Sequence, residues 1–288
     1  MMHYVEAKSL LTKWNGMNIY RGCTHGCIYC DSRSNCYNFD HKFEDIEVKE
    51  NAPELLENIL KSKRKKCMIS TGSMSDPYMP IESKLQLTRK CLEIIDKYGF
   101  GATIITKSDL ILRDLDLLKS INKKAKCVVQ MTLTTYDEEL CKKLEPNVCT
   151  TKRRFEVLKI LNENNIPTIV WFSPILPYIN DTKENMQGIL DYCIKANVKG
   201  IICFNAGMTL RDGDREYYYS QLDKLFPNLS KEYIKNYGSS YNVISKNNDE
   251  LMEIFNNTCK EHNIIHTSDE CFKYTSEYIE EDNQITLF

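Results

Sequence analysis

The feature that most limits what this chain can become is a recurrence. Six short runs of β-branched and apolar residues return at intervals, each separated from the next by a stretch with helical periodicity. The runs are Gly16 to Arg21, Lys66 to Ser70, Ala102 to Thr106, Cys127 to Thr132, Thr168 to Phe172 and Gly200 to Phe204. Their centres are almost continuously apolar rather than alternating, the pattern of parallel strands covered on both faces. Residues 53–60, 85–98, 113–121, 154–161 and 183–195 read as amphipathic helices between them, with Pro53 at an early helix position and Gly99 as a stop. This alternation predicts an α/β protein with a parallel sheet. Right-handed crossovers then give a doubly wound sheet or a full or partial barrel. Past Phe204 the pattern changes. Residues 216–226, 231–237 and 249–262 read as helices with no clear strand, which predicts a helical C-terminal extension.

Thirteen cysteines in 288 residues are the unusual part of the composition. An odd number does not close into disulfides. The opening residues MMHYVEAKSLLTKW carry no apolar leader, and no apolar run approaches the roughly 18 residues of a membrane helix. The expectation is a reducing cytosol and no membrane, where cysteines are core residues, metal ligands or catalysts. A net charge of −2 gives no overall basic field to draw nucleic acid.

Three of the cysteines stand together. Directly after the first strand the chain reads RGCTHGCIYC, placing Cys23, Cys27 and Cys30 in the spacing C-x3-C-x2-C. Parallel α/β proteins build their sites at the C-terminal edge of the strands, where this loop falls. Gly22 and Gly26 let the backbone turn tightly. Three thiolates can bind three irons of a [4Fe–4S] cluster and leave the fourth open to a non-protein ligand. A zinc site completed by His25 or Cys36, an electron-transfer cluster with Cys36 as fourth ligand, and coincidental core thiols are the alternatives.

With an aromatic Tyr29 before the third cysteine, this loop resembles that of the radical S-adenosylmethionine (SAM) superfamily. Within it, the chain is similar to the spore photoproduct lyase-like (DNA repair photolyase-like) group. The supporting segments are SMSDPYMPIE from Ser73, TKSDLILRD from Thr106, QMTLTT from Gln130 and SPILPYIND from Ser173. The resemblance implies a partial (β/α)6, TIM-like barrel over residues 15–205, an extension over 206–275 and an acidic tail over 276–288. It implies Cys23, Cys27 and Cys30 as ligands of a [4Fe–4S] cluster that reductively cleaves SAM to a 5′-deoxyadenosyl radical. Ser70, Thr71, Gly72 and Ser73 stand where the family binds the SAM amino group. Lys107 is the implied carboxylate partner and Thr132 a ribose or carboxylate contact. Tyr29 and the backbone near Pro174 and Ile175 are expected beside the adenine. A low-potential carrier such as flavodoxin or ferredoxin is the implied reductant, and damaged or modified DNA the implied substrate. RNA, a peptide or a small metabolite would keep the same chemistry; an iron–sulfur redox sensor without turnover belongs to another class.

Two positions depart from the lyase pattern. Ser73 stands where those lyases carry a hydrogen-donating cysteine, and Asp31 where they tend to have tyrosine after the third ligand. Both weigh against thymine-dimer reversal by that route, and leave Cys36 and Cys67 as candidate thiol donors. Asp76 and Glu82 read as structural acids. Tyr217, Tyr218 and Tyr219 read either as base-stacking residues or as packing of a capping helix. Cys259 and Cys271, with His262 and His266 between them, read as core thiols or a second metal site. The terminal QITLF resembles the peptide that bacterial proteins insert into the sliding clamp, with Gln284, Leu287 and Phe288 as anchors.

Overall fold

The structure is a computed structural model that describes residues 1–279. In chain order its strands are β1 (Met2–Val5), β2 (Gly16–Met17), β3 (Tyr20–Arg21), β4 (Ile46–Lys49), β5 (Met68–Thr71), β6 (Gly101–Thr106), β7 (Cys127–Thr132), β8 (Thr168–Trp171), β9 (Gly200–Ile202), β10 (Gly207–Thr209) and β11 (Asn242–Ile244). Its α-helices are α1 (Ala52–Ser62), α2 (Glu82–Leu85), α3 (Leu87–Lys97), α4 (Leu115–Lys124), α5 (Glu138–Leu144), α6 (Thr151–Glu163), α7 (Lys183–Lys195), α8 (Asp214–Leu225), α9 (Leu229–Tyr237), α10 (Asn248–Glu261) and α11 (Ser268–Ser276).

Six strands form one sheet in the order β2-β5-β6-β7-β8-β9, every neighbouring pair parallel. Sequential strand order with helical crossovers is a partial barrel, one of the forms the strand–helix alternation allows and the one the family resemblance implies. The apolar centres of the strands explain their burial: Ile104, Val129, Val170 and Ile201 are inaccessible and share one core with Leu92, Leu118, Leu158 and Ile189 from the surrounding helices. The open edge beyond β9 is covered. The segment after α10 runs along it, with the Ile201 N–H donating to the Ile265 carbonyl at 2.8 Å and the Ile265 N–H to the Lys199 carbonyl at 3.2 Å. That removes a row of unpaired backbone groups.

Several details differ from the sequence expectation. The helix expected over 85–98 is broken at Gln86, which is left-handed with φ 52°. Buried Glu82 on α2 accepts from the backbone N–H groups of Thr88 and Arg89 (3.1 and 3.4 Å), so its carboxylate caps the N-terminus of α3. The first expected strand is two: β2 joins the barrel sheet, while β3 pairs with β4 in a small sheet of order β1-β4-β3. The region after Phe204 is not purely helical, because β10 and β11 form an antiparallel ribbon.

That region packs onto the cysteine loop. A second core joins Cys27, Ile28 and Tyr29 to Leu144, Leu176, Met208, Tyr218 and Tyr233. Tyr218 is buried with its hydroxyl on that of Tyr233, and Tyr217 lies under the Arg33 guanidinium at 3.8 Å. The tyrosine run therefore packs rather than standing free to stack bases. Gln284, Leu287 and Phe288 of the sliding-clamp reading lie outside the described residues.

Ile104 sits in β6, near the middle of the sheet. We predict that Ile104→Ala lowers unfolding free energy by about 2–5 kcal/mol, as a cavity left in a well-packed core does; urea denaturation measures it.

Candidate active site at the C-terminal edge of the barrel

The cysteine loop leaves the sheet at Gly22, whose φ of 89° an L side chain rarely adopts. A Cβ there would lie 2.4 Å from the Phe43 carbonyl oxygen, which accepts the Cys23 N–H at 3.1 Å. The close approach that glycine permits is thus the one that fixes the first thiol. Further on, the Ile28 N–H donates to the Leu144 carbonyl (3.0 Å), and the Asn147 N–H donates to the His25 carbonyl (3.1 Å). A loop of ten residues is anchored from two sides by backbone pairing.

A buried ion pair completes the anchoring. The Tyr29 hydroxyl and the Arg154 guanidinium both reach the Glu145 carboxylate, and neither Arg154 nor Glu145 is solvent-accessible. Arg154 also donates to the carbonyls of Thr132 and Cys149, at 2.9 Å each. The cysteine loop, the end of β7 and the start of α6 are tied through one carboxylate. Burial opposes ionisation of Glu145, but Arg154 and Lys107 outweigh it and hold the carboxyl below its ordinary range. Burial likewise opposes the Lys107 ammonium, and the Cys27 sulfur and Glu145 outweigh that, raising its pKa.

Asp76 is a second hub. It accepts from the Thr106 hydroxyl (2.7 Å) and from the N–H groups of Lys107 and Tyr78 (2.8 Å each). His25 Nδ1 lies 3.4 Å from it. Burial pushes the His25 pKa down, against the pull of Asp76. Asp76 thereby positions Lys107 and the cysteine loop together. Glu82 is wholly internal, bonded by Tyr20, Thr88 and Arg113.

These elements enclose a cavity of about 1140 Å³. That exceeds the roughly 300–1,000 Å³ of a pocket for one small ligand. Cys27, Tyr29 and Cys30 form part of its wall, and Ser70, Thr71, Gly72 and Ser73 follow from the end of β5. Lys107, Thr132 and Pro174 come from the ends of the next three strands, and Cys67 also lines it. The structure thus brings together nearly every residue singled out from sequence. Three stand apart from the lining. Cys23 is buried close to Cys27 and Cys30. Ile175 lies in the core with its N–H on the Gly207 carbonyl. Cys36 is exposed, 3.6 Å from an Arg211 nitrogen. Cys259 and Cys271 are fully buried core thiols, while His262 is exposed.

Sequence reading missed the rest of the wall. Trp171 Nε1 donates to Gln130 Oε1 (2.6 Å), and Gln130 Nε2 to Thr103 Oγ1 (2.8 Å), a polar row across three strands. Trp14, Phe204, Tyr241 and Phe272 add aromatic surface, and Trp14 is 81% exposed. The signal for Gln130 was a polar residue in an otherwise apolar strand; the aromatics had none.

The three thiols suit a metal cluster. Burial pushes Cys23 up to about 12 and Cys27 well above the usual thiol range, so free they stay protonated, whereas coordination deprotonates a thiol outright. Among the described residues, the donor atoms of a potential metal-binding trio converge within 4.8 Å only at His3, His41 and Glu47. Three thiols on one short loop suit a group that holds several metals and takes thiolate ligands.

Comparison with known proteins agrees. The profile of the Radical SAM superfamily matches residues 17–193. An uncharacterized protein of Methanocaldococcus jannaschii is 35% identical over 80% of this chain and 78% of its own length. An uncharacterized Mycobacterium tuberculosis protein is 26% identical over 75% of this chain and 65% of its own. A "Radical SAM Nalpha-GlyT isomerase" of Pseudomonas phage M6 is 24% identical over 54% of this chain and 32% of its own. Spore photoproduct lyase in complex with dinucleoside spore photoproduct shares the fold, with TM-score 0.62 at 13% identity over 91% of this chain and 78% of that one.

Two substitutions test the anchoring. We predict that Glu145→Ala, which strands a buried guanidinium, costs about 3–5 kcal/mol in urea denaturation, and that adding Arg154→Leu restores much of it. Gly72 has φ 99° and a Cβ there would sit 2.0 Å from the Ile105 carbonyl oxygen. Gly72→Ala is therefore expected to lower the melting temperature, read by differential scanning calorimetry.

Proposed function

This chain belongs to the radical SAM superfamily, and on that premise we propose that it is an enzyme acting on damaged or modified DNA. The observation that carries the reading is the three-thiol loop facing a cavity larger than one cofactor needs. When bound, a [4Fe–4S] cluster supplies an electron that cleaves SAM to a 5′-deoxyadenosyl radical, the family's means of abstracting hydrogen.

In this reading Cys23, Cys27 and Cys30 hold three irons of the cluster. Ser70 to Ser73 offer small hydroxyls and an approachable backbone to the SAM amino group. Lys107, a partly buried cation at the cavity wall whose pKa is raised, meets the carboxylate. Thr132 bonds the ribose, and Tyr29 and Pro174 border the adenine. The remaining volume takes substrate. A nucleotide turned out of its stack would meet the exposed faces of Trp14, Phe204 and Tyr241. One similarity supports DNA over other substrates: the lyase whose fold this chain shares is in complex with a dinucleoside photoproduct. Ser73 lines the cavity; by the resemblance it stands where the lyases carry a donor cysteine, so any thiol donor has to come from elsewhere. Cys67 lines the cavity and Cys36 does not. A flavodoxin- or ferredoxin-type carrier would supply the electron.

The test is anaerobic reconstitution with dithionite and SAM. We expect 5′-deoxyadenosine by chromatography in the wild type and none with Cys27→Ala; product from that variant, or none from the wild type, overturns the reading. For the substrate, Trp14→Ala should weaken binding of a lesion-containing oligonucleotide by about 1–3 kcal/mol. Unchanged affinity, or preference for a peptide or RNA, sinks the DNA assignment while leaving the radical chemistry standing.

A further inference from the structure

We propose a second metal site, separate from the cysteine loop, in which His3, His41 and Glu47 bind one divalent first-row transition ion of the zinc type. The three residues come from β1, the segment before β4, and β4 itself. His3 and Glu47 are directly paired across the parallel β1–β4 ladder. Like partners in a ladder project to the same face. His41 closes over them, its ring edge-on to that of His3 with centroids 4.9 Å apart. One donor atom from each of the three converges within 4.8 Å.

The hydrogen bonds aim the donors. His41 Nδ1 faces the Lys42 carbonyl at 3.0 Å, which places the proton on Nδ1 and leaves a lone pair on Nε2. That Nε2 is buried and has no hydrogen-bond partner. It faces carboxylate oxygens of Glu47 at 4.0 Å and Asp40 at 3.9 Å, too far for a hydrogen bond. A lone pair facing two carboxylates from that distance is relieved by a cation between them, either a proton on Nε2 or a metal ion. Ligands about 2.0–2.1 Å from a common zinc stand up to about 4.2 Å apart, so these distances span an ion. His3 Nδ1 lies 3.4 Å from Asp45, the carboxylate–histidine arrangement that orients metal-bound imidazoles.

Two side-chain cations compete for Glu47: Lys49 feels its charge, and Arg21 lies 3.9 Å from it. For Arg21 the geometry is closed. Its other terminal nitrogen is held by the carbonyls of Tyr37 (2.7 Å) and Asn38 (2.9 Å), and its plane lies over Phe39. It borders the trio without filling it. Two imidazoles and one or two carboxylates are borderline donors, suited to zinc rather than to magnesium or calcium, which take oxygen. The site also has a place in the architecture. Phe43, whose carbonyl fixes the Cys23 N–H, lies between His41 and Glu47 in sequence. A bound ion pins the segment that positions the first loop thiol.

The probe is cobalt(II), added anaerobically to full-length protein carrying its iron–sulfur cluster and, in parallel, to the Cys23→Ala/Cys27→Ala/Cys30→Ala variant. We expect one equivalent in both, with ligand-field bands and no thiolate charge-transfer band. His3→Ala and His41→Ala should each lose at least a hundredfold in affinity, and Asp45→Asn ten- to a hundredfold. Circular dichroism and cluster content are read alongside to establish that His3→Ala, at a partly exposed position, is folded. Cobalt bound only through thiolate, or equally tightly by folded His3→Ala and His41→Ala proteins, overturns the proposal.

Discussion

The arrangement depends on holding three thiols in place on a loop that lies outside any regular ladder. A short loop beyond a strand end has few backbone partners of its own, so it borrows them. Phe43 from the segment before β4, Leu144 from the end of α5 and Asn147 just beyond it supply the pairing. The Glu145 carboxylate, shared by Tyr29 and Arg154, then locks the loop to the end of β7. A buried pair of this kind is not in itself a source of stability, because desolvation offsets much of the attraction. Its value here is geometric: only one loop position leaves neither charge unpaired. Glu145 also sets the field in which Lys107 stays charged beside the cysteines.

The barrel was legible in the sequence because its signals are local. Apolar strand centres and helical periodicity reveal themselves within a dozen residues. The spacing of Cys23, Cys27 and Cys30 between glycines marked the loop just as directly. What escaped was long-range. Glu145 and Arg154 are nine positions apart but meet Tyr29 from more than a hundred residues away. Trp14 and Phe272 are brought to one cavity from opposite ends of the chain. The two-residue strands β2 and β3 are too short to carry a period, and the β10–β11 ribbon spans a helical pair. The break at Gln86 follows from a single buried carboxylate turning back to cap a helix, which periodicity does not register.

The region after Phe204 changes character in three dimensions. It is an integral wall of the site: Tyr218 and Tyr233 pack against the cysteine loop, while Arg211 reaches Asp31 at 3.3 Å and Tyr241 at 3.0 Å. Its charge–aromatic mixture fitted stacking and packing equally at the level of composition. Burial distinguishes them, turning the tyrosines inward and leaving Tyr241 at the cavity mouth.

In the proposed function the loop thiols would hold a cluster with one iron turned to the cavity. Mössbauer spectroscopy of protein reconstituted with ⁵⁷Fe reads this iron by iron. Addition of SAM should change the isomer shift of a single iron site and leave the others as they were. A spectrum indifferent to SAM, with every iron equivalent, would contradict the claim.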